Sequence, residues 1–226
     1  MQTPYVIIDL DIVETKFREL SEALHSTELC YAVKANPGKP VIERLAALGA
    51  SFDVASVPEI DLVLSCGVEP ARISFGNTIK KQRDIAYAAQ QGITRFTVDT
   101  MSELHKVLAE APQAEVCVRL FHDCEGADWP LSKKFGCGFA DAKKILIAAG
   151  NAGCTTGISF HVGSQQRNLD AWLAPLQLCQ QLITEVFSGK TVIAVGDGAN
   201  DPKDRFWFPP FPPMALITSV LGMVPL

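Results

Sequence analysis

The chain has 226 residues, of which 48% are hydrophobic and 20% charged, so it can bury the core of one large domain or two small ones. Its formal net charge of −5 argues against nucleic acid as a partner. The seven cysteines include no C-x-x-C pair, which predicts buried thiols in a reducing compartment and neither disulfides nor a metal site. With no signal pattern and no apolar run long enough to cross a membrane, the sequence predicts a soluble cytoplasmic protein without a membrane partner.

The first 28 residues predict one strand and one helix, which form an N-terminal unit. Thr3 to Leu10 is β-branched and alternates weakly, as expected for a strand. Asp11 is a suitable N-cap for an amphipathic helix that runs to about Leu24. This unit would precede the main domain.

From Leu29 onward one unit repeats: a short apolar strand, a polar residue at its end, and a helix. Strands that are almost continuously apolar and alternate with helices predict a parallel sheet covered by helices. The predicted strands are Leu29–Val33, Ser51–Ala55, Arg72–Phe75, Arg95–Val98, Glu115–Leu120, Gly157–Phe160 and Thr191–Val195. The predicted helices are Val41–Leu48, Pro58–Cys66, Lys80–Gln91, Ser102–Glu110, Ala140–Asn151 and Leu169–Phe187.

The polar residues at the strand ends favour a barrel over an open sheet. Lys34, Asp53, Asn77, Asp99 and Arg119 follow one another at intervals of 19, 24, 22 and 20 positions, a regular βα period. No G-x-G-x-x-G motif follows the first strand, so a dinucleotide-binding open sheet loses its main support. A (β/α)₈ barrel places its chemistry at the carboxyl ends of its strands, where these residues would lie. Residues 29–195 therefore predict a barrel that is incomplete, with about seven strands.

Residues 196–226 differ in character from the repeating units. Gly196-Asp-Gly-Ala-Asn-Asp201 is followed by a proline-rich run that can continue neither a helix nor a central strand. We treat this tail as a truncated, frameshifted or divergent end with no predicted place in the barrel.

Several motifs, in one order along the chain, carry a resemblance to a known family. They are Tyr31-Ala-Val-Lys34-Ala-Asn-Pro, Phe52-Asp53-Val-Ala-Ser56, Ser74-Phe-Gly-Asn77, Val118-Arg119-Leu, Lys134-Phe-Gly136 and Ser159-Phe-His161-Val-Gly-Ser164. From about Thr3 to about Phe187 the chain resembles the barrel domain of the fold-type III pyridoxal-phosphate decarboxylases, the ornithine, lysine and diaminopimelate group. It is most similar to the bacterial ornithine/lysine decarboxylases.

The resemblance implies an alanine-racemase-like (β/α)₈ barrel that binds pyridoxal 5′-phosphate. It also implies decarboxylation of a basic L-amino acid, ornithine or lysine, to the diamine of polyamine biosynthesis. Intact members of the family are homodimers, and a C-terminal β-domain that this chain lacks completes their active site. No metal is implied.

Lys34 is the predicted catalytic residue. A lysine at the end of a buried strand can simply extend its ammonium into solvent, and position alone favours that interpretation. The alternative is an amine that forms a Schiff base. The resemblance implies the second, with Lys34 holding the cofactor covalently.

His161 and Ser164 are the next candidates. The resemblance implies that His161 stacks on the pyridine ring, whereas a lone histidine is more often a satisfied core residue. Ser164 follows on the next loop, where its hydroxyl and the Gly163 backbone could hold the 5′-phosphate.

Arg119 and Asp53 end apolar strands, so each needs a partner of opposite charge. The resemblance places Arg119 near the 3′-oxygen of the cofactor and gives Asp53 the role of positioning the lysine, with Glu59 close by. A structural ion pair inside the barrel competes for Asp53 and Arg119, and a helix N-terminal acid competes for Glu59. Asn77 and Asp99 are interpreted as strand-end caps. The basic loop that contains Lys133 and Lys134 is interpreted as solvated.

The seventh strand departs from the family pattern. A triple-glycine phosphate loop is expected after it, but this chain has Gly196-Asp197-Gly198, which adds a negative charge beside a phosphate. Gly196 and Gly198 therefore remain only possible cofactor ligands. We expect the chain by itself to be weakly active or inactive.

Two other functions remain open. One is a non-catalytic or regulatory relative that binds pyridoxal phosphate or only a partner protein. The other is a haloacid-dehalogenase-type phosphatase, because Asp197 and Asp201 resemble its metal-binding motif and Asp9-Leu-Asp11 resembles its nucleophile pair. Val13 stands where that second motif expects threonine, which indicates a coincidence.

Overall fold

The structure, a computed structural model, describes residues 7–25, 27–123, 127–129, 134–166, 168–186, 193–197 and 216–219. Eight parallel strands form a closed barrel in the order β1-β2-β3-β4-β5-β7-β9-β10, with β10 returning to β1. Two further strands, β6 and β8, pair antiparallel in a separate small sheet. The strands are β1 Thr27–Ala32, β2 Ser51–Val54, β3 Ile73–Phe75, β4 Arg95–Val98, β5 Glu115–Arg119, β6 Ala127–Trp129, β7 Thr155–His161, β8 Ser164–Gln166, β9 Ile193–Asp197 and β10 Leu216–Ser219.

Helices alternate with the barrel strands, which confirms the predicted β/α barrel class. They are α1 Leu10–Ala23, α2 Lys39–Ala47, α3 Val57–Ser65, α4 Gln82–Gln90, α5 Met101–Glu110, α6 Phe139–Asn151 and α7 Leu173–Val186, with 3₁₀ turns at Val33–Ala35, Pro70–Arg72 and Leu169–Trp172. Each is amphipathic or apolar and buries one face against the strands; in α5, for example, Leu104 and Val107 are fully buried. None of the described helices is long and apolar enough to span a membrane.

The strand count differs from the sequence prediction. All seven predicted barrel strands are present, and Leu216–Ser219 adds an eighth that closes the barrel between β1 and β9. This strand lies in the tail for which no place in the barrel was predicted. The β-branched pair Ile217-Thr218 suits a strand, but four residues after a proline-rich run are too few for periodicity to reveal one.

The N-terminal prediction needs two corrections. Residues 7–9 lie in no strand and Leu10 already begins α1, while residues 3–6 are outside the described part of the chain. The N-cap is Asp9, whose carboxylate accepts hydrogen bonds from the backbone N–H groups of Asp11 and Ile12. Asp11 instead pairs with Arg44 of α2 at 3.0 Å. Either aspartate could have capped the helix, and the extended backbone of Asp9 decides between them.

Candidate active site

A cavity of about 310 Å³ lies within the barrel and reaches the carboxyl ends of its strands. Its lining includes Lys34, Asp53 and Arg119, so the structure brings these three predicted site residues together. The cavity extends down to Arg95 and Glu115 at the amino ends of β4 and β5. We call these two ends of the cavity the mouth and the floor. A barrel with side chains from several strand ends around one cavity has the usual layout of an enzyme site.

Lys34 lies in the 3₁₀ turn that follows β1, and its side chain is exposed at the mouth. The turn is fixed from both sides: the Tyr31 hydroxyl donates to the Asn36 carbonyl at 3.2 Å, and Asn36 Oδ1 accepts from the Gly38 N–H at 2.9 Å. Burial raises the pKa of Tyr31 to about 12, so its hydroxyl stays a donor. Among the described residues, no ion pair involves Lys34. Its amine is therefore placed where a ligand can reach it.

Asp53 lies on β2, next to the strand that leads into the Lys34 turn, since the register of β1 and β2 pairs Ala32 with Asp53. The Ser74 hydroxyl donates to Asp53 Oδ1 at 2.6 Å. A Cβ atom at Gly76 would lie 2.1 Å from the same oxygen, so only a glycine leaves room for the carboxylate in this position. Ser74 and Gly76 together fix the orientation of the acid.

Arg119 ends β5 and stands over the ring of Phe135, with its guanidinium carbon 5.5 Å from the ring centre. Lys134 lies 5.0 Å from the centre of the same ring and also lines the cavity. This contact makes Lys134 part of the mouth, although the sequence indicated only a solvated loop; Lys133 is outside the described residues. The contacts are cation–π interactions, which leave both charges available to an anion.

Asp99 holds this loop in place. Its carboxylate accepts a hydrogen bond from the Gly136 N–H at 3.0 Å. Gly136 has a φ of 99°, and a Cβ atom there would lie 2.7 Å from the Phe121 nitrogen, so the turn requires glycine. The predicted strand-end cap thus becomes an anchor between the β4 end and the Phe135 loop.

Glu59 is an acid at the N-terminus of a helix, the alternative that the sequence left open for it. Its carboxylate accepts from the Ala55 N–H at 2.6 Å in the first turn of α3, an arrangement that caps a helix. It is not among the residues that line the cavity. Asn77 lines the mouth, and its side-chain amide is 3.5 Å from the Ala55 carbonyl.

His161 is the last residue of β7, and the cavity lining includes its neighbour Phe160 but stops before it. His161 Nδ1 accepts a hydrogen bond from the Gly163 N–H at 2.8 Å, which leaves the proton of a neutral ring on Nε2. Ser164 begins β8, two residues separate it from the end of β7, and its side chain is outside the described part. Gly196 lies within β9 opposite Phe160, and Asp197 lies opposite His161; Gly198 and Asp201 are outside the described residues.

The floor of the cavity carries a charged cluster that the sequence analysis did not identify. Arg95 Nη1 contacts both carboxylate oxygens of Glu28 at 2.9 Å, and Arg95 Nε contacts Glu115 Oε2 at 3.2 Å. The Ser51 hydroxyl donates to Glu28 as well. The charged residues lie at or next to the starts of strands that are distant in sequence, so only closure of the barrel brings them together.

The sequence did not predict that Lys80 is buried, for a different reason. The sequence placed Lys80 in the first turn of a helix, but α4 begins at Gln82, and Lys80 is 3% exposed in the loop before it. Its predicted helical pattern gave no sign of burial.

Residues 10–193 match the family described as the pyridoxal-dependent decarboxylase, pyridoxal binding domain. The chain belongs to this family. The predicted cofactor, pyridoxal phosphate, and the predicted enzyme class of the family, the pyridoxal-phosphate-dependent amino-acid decarboxylases, are thereby confirmed.

Two curated relatives show the range of the family. A lysine/ornithine decarboxylase of Selenomonas ruminantium is 35% identical over 184 residues, which cover 81% of this chain and 47% of that protein. Antizyme inhibitor 2 of Xenopus laevis is 34% identical over 209 residues, which cover 89% of this chain and 46% of that protein. The chain thus spans about half the length of the curated relatives it matches.

A solved structure described as SrLDC in complex with PLP and cadaverine superposes with a TM-score of 0.82 and 29% identity. The match covers 97% of this chain and 60% of that one. The likeness extends over the barrel and supports the resemblance drawn from the motifs.

The residues at the mouth fit pyridoxal phosphate. An exposed lysine amine suits its carbonyl carbon, and the cations Arg119 and Lys134 suit its negative charges. The phosphatase alternative loses its first motif, because Asp9 caps α1 and Asp11 pairs with Arg44. Within the described ranges, no cluster of three or more His, Cys, Asp or Glu side chains could hold a metal ion.

Proposed function

We propose that the chain is the cofactor-binding barrel of a decarboxylase that converts a basic L-amino acid, ornithine or lysine, to its diamine. One observation carries the proposal: Lys34, Arg119 and Lys134 converge on one cavity, and no ion pair joins them to a described residue. Cations that gather at a cavity mouth favour an anionic ligand.

Each residue at the mouth has a distinct part. Lys34 supplies the amine that holds the carbonyl carbon of the cofactor. When bound, pyridoxal phosphate supplies the electron sink for the electron pair left behind as the carboxylate departs as CO₂. Asp53, whose carboxylate accepts the Ser74 hydroxyl on the strand beside β1, is proposed to position the Lys34 side chain. Arg119 and Lys134 attract the anionic groups of cofactor and substrate.

His161 and Ser164 belong to the proposal through their place in the chain. His161 ends β7, one strand away from Arg119 on β5, and its Nδ1 bond to Gly163 fixes the plane of its ring. A ring held in this way can lie against a flat cofactor without competing for its proton. Ser164 is proposed to bind the 5′-phosphate, as the resemblance implies, with Gly196 and Gly198 as further candidates. The intact protein is proposed to act as a homodimer.

The test is Lys34→Ala, with Lys39→Ala as its matched control. Lys39 is 53% exposed at the start of α2 and lies outside the cavity lining, so its loss removes a charge of the same kind nearby. On addition of pyridoxal phosphate, we expect the chain and Lys39→Ala to develop an absorbance band near the visible that borohydride removes. Lys34→Ala should show none. A chain that gives no band, or a band that survives in Lys34→Ala, contradicts the proposal.

A second candidate is a cofactor-binding or regulatory relative without turnover. The similarity to antizyme inhibitor 2 over 89% of this chain favours it. Release of CO₂ from ornithine or lysine separates the two functions. A lysine-dependent absorbance band without CO₂ release identifies the binding relative, and CO₂ release that Lys34→Ala abolishes identifies the enzyme.

A further inference from the structure

Lys80 is a buried charge that the proposed chemistry does not use. Its side-chain atoms are fully inaccessible, and its ammonium donates to three backbone carbonyls: those of Asn77 at 2.8 Å, Thr97 at 2.5 Å and Thr78 at 3.5 Å. Glu103 Oε2 lies 3.8 Å from the same nitrogen. An ammonium has three protons to donate, and these contacts use all of them.

The three carbonyls belong to two separate parts of the barrel rim. Asn77 and Thr78 are in the loop that follows β3, and Thr97 is in β4. All three residues line the cavity. The ammonium thus fastens the β3 loop to the neighbouring strand from behind the cavity wall.

Further contacts hold Lys80 itself. Glu103 of α5, 6% exposed, accepts from the Lys80 N–H at 3.3 Å, and Lys106 donates to the Lys80 carbonyl at 2.5 Å and pairs with Glu103. The ring of Phe75 lies 5.8 Å from the ammonium. A buried charge is costly unless its surroundings satisfy it, so this set of contacts defines one position for the loop.

The contacts of Lys80 continue, through Asn77 and Ala55, to the strand that carries Asp53. Asn77, fixed through its carbonyl by Lys80, directs its side-chain amide at the Ala55 carbonyl, and Glu59 holds the Ala55 N–H. Ala55 is two residues beyond Asp53, directly after the end of β2, and also lines the cavity. Side-chain to backbone bonds therefore join the ends of β2, β3 and β4 along one side of the mouth.

We propose that Lys80 is a positioning residue for the cofactor site, whose buried ammonium holds the wall formed by Asn77 and Thr78. The inference rests on the proposed function for its effect on cofactor binding, but the clamp itself does not depend on a ligand.

The main experiment compares Lys80→Met, Lys80→Arg and Lys81→Met in the full chain. Methionine keeps most of the stem and removes the charge; arginine restores a cation; Lys81 is the exposed neighbour and serves as the control. We expect Lys80→Met to weaken pyridoxal phosphate binding about tenfold, because a wall that moves by an ångström no longer fits its ligand. Lys80→Arg should recover part of the affinity, and Lys81→Met should bind as the unchanged chain does.

Amide hydrogen exchange without cofactor supplies the second readout. In Lys80→Met, the amides of Ile79 and residue 80 should exchange about tenfold faster, while those of α4 keep their rates, because only the loop is released. Glu103 retains Lys106 as its partner in this variant, so no uncompensated acid opposes folding. A folded Lys80→Met with unchanged loop exchange and unchanged affinity overturns the proposal.

Should Lys80→Met fail to fold, the unchanged chain still decides the matter. Burial lowers the pKa of Lys80 to about 8, against the opposing effects of Glu103 and Asp99 and with a smaller contribution from Lys106 in the same direction. Between pH 7 and pH 9.5, loop protection corrected for intrinsic exchange should therefore fall, while protection in α4 stays constant. Constant loop protection over this range overturns the clamp. This result is independent of whether Lys34 binds a cofactor.

Discussion

Both ends of the barrel cavity carry cations, but only the cation at the floor is paired with acidic side chains of the described chain. At the floor, Arg95 contacts Glu28 twice and Glu115 once, so its charge is matched within the chain. At the mouth, Lys34, Arg119 and Lys134 make no ion pair with a described residue, and two of them only stand over the ring of Phe135. The floor cluster is neutralised within the chain, whereas the cations of the mouth are proposed to bind an anionic ligand.

This difference separates stability from binding. A cation matched by internal acids stabilises the folded chain, and its loss leaves the acids unpaired. A cation that lacks such a partner lowers the stability of the folded chain, and a bound anion offsets this loss. Variants at the two ends should therefore affect different measurements.

Arg95→Met should have the largest effect on stability. The side chain of Arg95 is 22% exposed, and its removal leaves Glu28 and Glu115 facing each other without a cation. We expect the free energy of unfolding in urea to fall by about 3 kcal/mol, a value toward the lower end for breaking a buried pair because water reaches part of this one. Adding Glu28→Gln should restore part of the loss.

The control for Arg95→Met is Arg83→Met, since Arg83 is 79% exposed on α4 and its ion pair is at the surface. The free energy of unfolding of that variant should fall by less than about 0.5 kcal/mol. An equal loss in both variants would show that the floor cluster contributes no more than a surface pair.

Arg119→Met should change cofactor affinity and leave the stability of the chain intact, the opposite of Arg95→Met. We expect the affinity for pyridoxal phosphate to fall about tenfold, the equivalent of one charge-assisted hydrogen bond, while the free energy of unfolding stays constant or rises. Absorbance titration and urea unfolding of the same preparation measure both. If Arg119→Met instead destabilises the chain as Arg95→Met does, the contrast between mouth and floor is wrong.

The Cys117 thiol, which is half-buried and lines the cavity between the two ends, offers a smaller, pH-dependent effect on the free energy of unfolding. Burial raises the pKa of Cys117 to about 12 from the ordinary value of 9.0, so the folded chain keeps its proton in alkali while the unfolded chain loses it. Stability from this group is therefore complete below about pH 9 and falls as the pH rises toward 12.

Cys117→Ala tests this linkage. Between pH 7 and pH 10, its free energy of unfolding should decline by about 1.4 kcal/mol less than that of the unchanged chain. The comparison at pH 7 alone measures the packing lost with the sulfur. If the free energies of unfolding of Cys117→Ala and the unchanged chain declined equally over this range, the Cys117 thiol would not titrate differently in the folded and unfolded states.

The sequence predicts more of the mouth than of the floor, and the reason is local. Lys34, Asp53 and Arg119 each lie at or just beyond a strand end, so the period of the βα units was enough to place them on one rim. Glu28, Arg95 and Glu115 stand near the starts of strands far apart in the chain, and nothing local marks charges that meet only when the barrel closes. The eighth strand was missed for a related reason, because Leu216–Ser219 is recognisable only by its partners β1 and β9.

Asp99→Ala should have the smallest effect and sharpens the description of the mouth. Asp99 touches no proposed ligand; it accepts the Gly136 N–H and so holds the loop that carries Phe135 and Lys134. Because the remaining turn is also held by the Cys137 N–H bond to the Arg119 carbonyl at 3.0 Å, we expect a loss of only about threefold in cofactor affinity, toward the low end for a single hydrogen bond. Asp123→Ala, an exposed acid just beyond β5, is the control. Removal of an acid near a cationic mouth would by itself strengthen anion binding, so a gain in affinity would mean that the charge of Asp99 matters more than its hold on the loop.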